Sequence, residues 1–415
     1  MNILFVHQNF PGQYKYLAPE LARVANSGQH RVLALRMGED ARYAGIEVVG
    51  YDVKQSFGKG HPHLDDLQVK LLRAEAAARR AQQLKASGFV PDVILAHPGW
   101  GETLLLKDVW PHARIGLFSE FFYHVAGSDV GFDPEFQLTQ DALAQASRLK
   151  IKNTNQLLAF LDAERGIAPT EWQKSLYPPH IQAKIDVIHD GIDTDFLKPN
   201  ERVSMSLNGQ RSLSRADEII TFVNRNLEPY RGYHQFMRAL PELMKLRPNA
   251  RIMIVGGHDV SYGAAAPPGK TWRQIFWDEV KDRVDASRVH FLGKLNYPEF
   301  VQLLQLSTVH VYLTYPFVLS WSLMEAMSLQ CAIVASNTAP VKEVIRHEQD
   351  GLLVDFFSPD QIVQAICRLL ESPKLAQELG QTARSQIVSR YDLKTQCLPA
   401  QMAWVNNLAG VELNS

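Results

Sequence analysis

Short apolar runs alternate along the chain with longer stretches whose apolar positions recur at helical spacing. The short runs read as strands buried on both faces, the longer ones as amphipathic helices. In the first half the runs are Ile3 to Val6, Val32 to Leu35, Val48 to Tyr51, Val93 to Ala96 and Ile115 to Phe118, with Ile185 to Ile188 as the last. The first run ends in HQNFPGQY, where Pro11 and Gly12 predict a turn before a helix from about Gln13 to Asn26. Phe136 to Arg165 reads as one long helix.

A break follows. HDGIDTDFLKP, from His189 to Pro199, is turn-rich, and Asn200 to Asp217 carries few large apolar residues, which predicts a linker and a surface excursion. The pattern then restarts with Ile219 to Val223, a helix from about Tyr233 to Leu246, Arg251 to Val255, Val289 to Leu292, Val309 to Leu313, Ala332 to Ala335 and Leu352 to Val354. After Ser358 the chain is helical in character to its last segment, Tyr391 to Leu408. The expected fold class is α/β: two facing, Rossmann-like, doubly wound parallel-sheet domains. Their expected limits are 1–188 and 189–388, with 389–415 a terminal helix packing back on the first domain. Ligands of such sheets lie at the carboxyl ends of the strands, so an interdomain active site is expected.

Charge narrows the partners. Lys plus Arg is 43 against Asp plus Glu at 44, giving a net charge of -1, so no global field favours nucleic acid or an anionic membrane. The helix from Leu67 to Lys85 carries Lys70, Arg73, Arg79, Arg80 and Lys85. It could make a peripheral contact with the inner face of a membrane or with a lipid-linked acceptor, although an ordinary solvated helix explains the same charges. Cys331, Cys367 and Cys397 are odd in number and widely spaced, which argues against a disulfide framework or a zinc cluster and fits a reducing cytoplasm. MNILFVHQNFPG has no basic leader, and no apolar run reaches membrane-spanning length, so secretion by that route and an integral span are not expected.

The richest stretch for chemistry is Thr314 to Asp355. After the strand Val309 to Leu313, Ser320 to Leu329 has helix-forming composition with Ser320 or Ser322 as N-cap. Unsatisfied N–H groups at that helix start can hold a phosphate, and Glu325, one turn on, can accept hydrogen bonds from ribose hydroxyls. A helix carrying one solvated glutamate fits the same residues.

SLMEAM followed by CAIVASNTAPVKEVI and DGLLVDF, the hinge HDGIDTDFLKP, and FVNRNLEPYRGYHQFMRALPEL together resemble the GT-B fold retaining glycosyltransferases of glycosyltransferase family 4. ILFVHQNFPGQ and PDVILAHPGWGET look like that family's first-strand loop and its histidine-bearing loop. The resemblance implies a nucleotide-diphosphate sugar of UDP or GDP type as donor, bound by the second half, and a hydroxyl acceptor (glycan, glycolipid or small molecule), bound by the first. It implies neither metal nor other cofactor.

Carried over by position, the catalytic set is Arg225, Arg231 and His97. The two arginines grip the diphosphate, where charge grows in the transition state, and His97 positions the donor sugar without acting as a base. The family usually has lysine where Arg231 stands. Glu325 matches the second glutamate of the family's paired motif, but Phe317 occupies the place of the first, so an apolar or deoxy part of the sugar near Phe317, or hydroxyls held by Ser320, Ser322 and backbone amides, is expected. Gly12, Gly256, Leu292 and Trp321 complete the donor side. Gln13, Glu120 and Tyr123 are the acceptor candidates. The mechanism implied is front-face substitution with the acceptor proton going to a phosphate oxygen. Asp193-Thr194-Asp195 spells a metal-binding pattern of another transferase fold but falls in the hinge, and His61 with His63 lacks the further ligands of a zinc site.

Three other classes fit parts of the chain. A non-catalytic nucleotide-sugar-binding protein accords with Phe317, and a sugar-nucleotide epimerase could share the two-sheet architecture. A nicotinamide oxidoreductase needs a Gly-x-Gly-x-x-Gly fingerprint, which FVHQNFPGQYKY lacks.

Overall fold

Every apolar run read as a strand falls on one in the computed structural model, which describes residues 1–25, 31–54, 60–136, 141–207 and 211–410. Asn26, 137–140 of the long expected helix, 208–210 of the polar excursion and 411–415 lie outside the described residues. The chain forms two compact units. The first comprises Met1–Val130, Leu138–Gly191 and Leu393–Ser415, and the second Gly131–Gln137 and Ile192–Asp392.

The first unit holds β1 (Ile3–Val6), β2 (Val32–Met37), β3 (Ala41–Tyr43), β4 (Ile46–Tyr51), β5 (Val93–Ala96), β6 (Arg114–Phe118), β7 (Arg165–Ala168) and β8 (Ile185–Val187). They form one sheet in the order β3-β4-β2-β1-β5-β6-β7-β8, parallel except for β3 on β4. All four residues of β1 are buried, because β2 and β5 flank it and helices cover both faces. The terminal helix Leu398–Ala409 lies against β6 at Gly116, where an added Cβ would come within 2.5 Å of Trp404 and 2.6 Å of Leu408. Two strands escaped the pattern. β3 is three residues, ARY, on the sheet edge, and β7 begins at Arg165, the last residue of the stretch read as one helix, with two residues between it and the end of the helix Ala142–Asp162.

The second unit opens with a two-stranded antiparallel hairpin, β9 (Ser204–Leu207) and β10 (Arg211–Ser214), where the sequence predicted an excursion without strands. Its main sheet has β11 (Ile219–Asn226), β12 (Arg251–Gly257), β13 (Val289–Gly293), β14 (Val309–Tyr312), β15 (Ala332–Ser336) and β16 (Leu352–Val354). Their order is β13-β12-β11-β14-β15-β16, all parallel. Strand order reverses between β1 and β5 in the first sheet and between β11 and β14 in the second. Loops leaving the carboxyl ends of such a pair diverge to opposite faces and open a crevice, which marks where each unit can hold a ligand.

Residues 131–136 pack into the second unit, although both flanking segments belong to the first. Phe132 meets Tyr315, Phe356 and Phe357, and Phe136 meets His234, Trp272 and Phe276. Asp133 accepts the Tyr315 hydroxyl at 2.8 Å, and Glu135 pairs with Arg238.

Candidate active site

In the second unit, the segment leaving β11 crosses the one leaving β14 at Arg231. This guanidinium is buried, and its Nη1 donates to Thr314 Oγ1 at 2.7 Å, Val318 O at 3.1 Å and Tyr312 Oη at 3.2 Å. Its flat face meets the rings of Tyr262, at 5.0 Å, and Phe317, at 5.6 Å. A buried charge is tolerated when its donors are satisfied, and all three bonds here leave from one end of the fork. Gly232 follows with φ +70, and a Cβ there would meet Leu313 at 2.3 Å, so the turn that aims Arg231 requires glycine. Arg225, at the end of β11, is exposed and makes no hydrogen bond or ion pair with the described residues.

Phe317 is buried against Tyr230 and Tyr262, with ring centroids at 5.0 and 5.1 Å. The place of the missing carboxylate is thus an aromatic wall beside the buried cation. Ser320 is the N-cap of the helix Trp321–Ser328: its side chain accepts from Ser322 N, and its own N–H donates to Tyr312 Oη at 2.9 Å. The Tyr312 hydroxyl therefore links the helix start to Arg231. Trp321 and Ser322 are half-buried. Glu325 is buried, and its Oε1 accepts the hydroxyl of Tyr297 at 2.8 Å, a partner no sequence signal indicated. Gly256 and Leu292 stand near the carboxyl ends of β12 and β13. A Cβ at Gly256 would meet Leu227 at 2.8 Å, so this glycine lets the segment after β11 lie close to β12.

In the first unit, the loops after β1 and β5 bring together His7, Gln13, His97 and Trp100, with Glu120 joining them from the loop after β6. His7 Nε2 lies 2.7 Å from Gln13 Oε1, and Gln13 Nε2 donates to Glu120 Oε1 at 2.8 Å. His97 Nε2 faces Glu120 Oε2 at 3.3 Å. The Nδ1 atoms of His7 and His97 accept the N–H groups of Asn9 and Gly99, which leaves the ring protons on the Nε2 atoms that face Gln13 and Glu120. The ring of Trp100 lies 4.7 Å from His7 and 4.4 Å from His97. Gly12 has φ +49, and a Cβ there would reach the His7 ring at 2.3 Å.

Burial, reinforced by His97, lowers the His7 pKa to about 3, so this ring is neutral. Burial pushes the Glu120 carboxyl up, but His97, Gln13 and His7 outweigh it and hold the group below its ordinary range. Its side chain is 33% exposed, so a fixed carboxylate, braced by two buried rings and an amide, offers lone pairs outward. Sequence reasoning missed His7, though a histidine straight after a strand was the signal used for His97. Tyr123 takes no part in this network: Asn153 pins its backbone in both directions, and Lys152 Nζ sits 4.0 Å from its ring centroid.

Asp133, Glu135 and His234 place ligand atoms within 4.8 Å of one another. Their charges already have partners. Arg238 grips Glu135 at 2.6 and 2.7 Å, and Asp133 lies 3.0 Å from His234 Nε2. In the turn after Gly191, the Asp193 carboxylate accepts Phe196 N at 3.2 Å. Of the basic helix, now Asp65–Ala86, Lys70 is buried on Asn155 and Lys152 O, Arg80 pairs with Asp40, and Lys85 donates to Val109 O. Arg73 is half-buried and its charge acts on buried Glu102, and Arg79 is exposed. Among the described residues, no helix is long and apolar enough to cross a membrane.

Residues 28–197 match the family described as Glycosyl transferase family 4 group, and residues 207–386 match Glycosyl transferases group 1. An uncharacterized glycosyltransferase of Methanocaldococcus jannaschii is 25% identical over 50% of this chain and 50% of its own length, so the chain spans about half the length of the first curated relatives it matches. A GDP-mannose-dependent alpha-(1-6)-phosphatidylinositol monomannoside mannosyltransferase of Mycobacterium tuberculosis is 21% identical over 97% of both chains. Among solved structures, sucrose-phosphate synthase of Thermosynechococcus elongatus superposes with a TM-score of 0.73 at 16% identity, covering 99% of this chain and 100% of its own. Anabaena HepE in complex with UDP-glucose superposes at 0.63 and 18% identity, covering 98% and 99%. With one match on each side of the linker and neighbours of the same two-sheet fold along nearly its whole length, the chain belongs to the GT-B glycosyltransferases of family 4.

Proposed function

We propose that the protein is a retaining glycosyltransferase that moves a sugar from a nucleoside-diphosphate sugar, of UDP or GDP type, to a hydroxyl acceptor without a metal ion or other cofactor. The observation that carries this reading is Arg231, a buried cation at the strand-order switch of the second sheet, with Arg225 exposed at the end of the same strand. In this reading the two guanidiniums hold the diphosphate and stabilise it as the bond from the anomeric carbon to its phosphate oxygen breaks. Glu325 accepts the ribose hydroxyls once Tyr297 gives way. The acceptor oxygen attacks from the side the diphosphate leaves, and its proton passes to a phosphate oxygen, so no protein nucleophile is required. Glu120, braced by His97 and Gln13, accepts a hydrogen bond from the acceptor and orients it. The relatives named above support both donor types: one uses GDP-mannose, and one solved neighbour holds UDP-glucose.

Purified protein should be incubated with UDP-glucose and with GDP-mannose in the presence of a panel of hydroxyl acceptors, with and without a chelator, and the products analysed by NMR. Retention at the anomeric carbon and full activity with chelator are expected. An inverted product or a metal requirement would overturn the proposal.

A further inference from the structure

Glu228, outside every role given so far, lies between the two arginines in sequence and is 0% exposed. A carboxylate removed from water is costly unless its lone pairs are met. Here Oε2 accepts three successive backbone N–H groups, from Ser261 and Tyr262 at 3.3 Å each and from Gly263 at 3.1 Å, while Oε1 is buried without a partner among the described residues. Asn226, two residues earlier, adds Nδ2 to Ser261 Oγ at 2.7 Å. The loop after β12 is therefore fastened to the segment that runs from Arg225 to Arg231. What it fastens is Tyr262, whose ring meets Arg231 at 5.0 Å and Phe317 at 5.1 Å. Tyr262 is 41% exposed, so its own packing does not fix it there, and the backbone clamp supplies what burial does not.

We propose that Glu228 is the positioning residue of the donor site: by clamping residues 261–263 it holds Tyr262 against the free face of Arg231, and so fixes the direction in which that guanidinium meets a diphosphate. The sequence provides a reason for such a device. Arginine presents a plane, and a plane delivers its hydrogen bonds only when its tilt is set. Nη1 anchors one end through Thr314, Val318 and Tyr312, and the rings of Phe317 and Tyr262 set the tilt. Phe317 thereby gains a use in place of the glutamate it replaces. This inference rests on the reading of Arg231 as a diphosphate ligand.

Calorimetric titration with UDP and GDP, and with UMP and GMP as controls lacking the second phosphate, tests it. For the base that binds, Tyr262→Ala and Glu228→Ala should each weaken the diphosphate at least fivefold and the monophosphate less than twofold. Glu228→Ala added to Tyr262→Ala should cost less than twofold more. Glu228→Gln, whose amide oxygen accepts the same three N–H groups, should stay within threefold of the unaltered protein. Unchanged diphosphate binding in Tyr262→Ala, which needs no buried group removed, overturns the proposal even if Glu228→Ala does not fold. Losses that add in the double variant, or that fall equally on the monophosphate, overturn it too. If Arg231→Ala leaves UDP and GDP binding unchanged, or neither binds the unaltered protein, the underlying reading of the site fails instead.

Discussion

Arg231→Lys keeps the charge that most of the family carries at this position, yet it should cripple this protein. In the cage around Arg231, Thr314 Oγ1, Val318 O and Tyr312 Oη are all served by Nη1, and the Tyr262 side chain is a further hydrogen-bond partner of the guanidinium. A guanidinium has a second terminal nitrogen and Nε to offer a ligand. A lysine has one nitrogen, which the cage and the diphosphate would have to share. Losing one charge-assisted hydrogen bond to the leaving group corresponds to about 1.5–3 kcal/mol, or roughly ten- to 150-fold in kcat/KM. Folding should be little affected, because the ammonium can still satisfy the cage. The assay is initial-rate kinetics over a range of donor concentrations, with thermal unfolding measured in parallel. An Arg231→Lys variant with kcat/KM within threefold of the unaltered protein would refute the argument that the cage consumes one end of the fork.

Arg225→Ala should abolish most turnover while leaving unfolding free energy within about 0.5 kcal/mol, because this exposed side chain has no partner among the described residues; unaltered activity would remove it from the site. Tyr297→Phe should tighten nucleoside-diphosphate binding by about fivefold, since it deletes the hydroxyl that occupies Glu325 Oε1, at a cost of about 1–3 kcal/mol to the ligand-free fold; weaker binding in calorimetry would show that Tyr297 positions Glu325 and does not compete for it. Burial lowers the pKa of His310 and of His7 from 6.5 to about 3, and that of His189 to about 4. Below 6.5 the unfolded chain takes up protons that the folded rings refuse, so stability is complete above that pH and falls as pH drops toward 3. The slope is about 1.4 kcal/mol per pH unit for each histidine, and urea unfolding of His310→Gln should be shallower by one such increment; an unchanged slope would exclude His310 as a contributor. Gly116→Ala, forced against Trp404 and Leu408, should destabilise by about 1–3 kcal/mol without changing donor KM, as denaturant titration and kinetics would show.

The fold was legible because parallel strands buried on both faces leave uninterrupted apolar runs, so β1, β5 and β16 could be read to the residue. β3, β9 and β10 could not: they are antiparallel pieces of three or four residues, ARY, SMSL and RSLS, and polar side chains on so short a strand look like loop. In the site, the N-cap was readable as Ser320 or Ser322, since capping depends on local residue type, and the structure selects Ser320. The surroundings of Arg231 were not readable. Its cage comes from residues more than 80 positions away, and nothing local distinguishes a buried arginine from a solvated one. Glu228 was invisible for the same reason, because its partners are backbone N–H groups and carry no side-chain signature. Phe317 was conspicuous only as a departure from a family pattern.

The excursion at 131–136 bears on how this protein can be divided. With it, the chain passes between its two units four times, after Val130, Gln137, Gly191 and Asp392. A fragment cut at the linker, 192–392, would lack Phe132, Asp133 and Phe136, leaving buried His234 without its carboxylate and the rings of Tyr315, Phe356 and Phe276 open to water. A chimera made by exchanging carboxyl-terminal halves between relatives would carry one parent's second sheet against the other parent's copy of that segment. The six residues 131–136 written into the first half are therefore inherited with one unit but must fit the other, and halves exchanged at the linker will assemble only if this small patch matches.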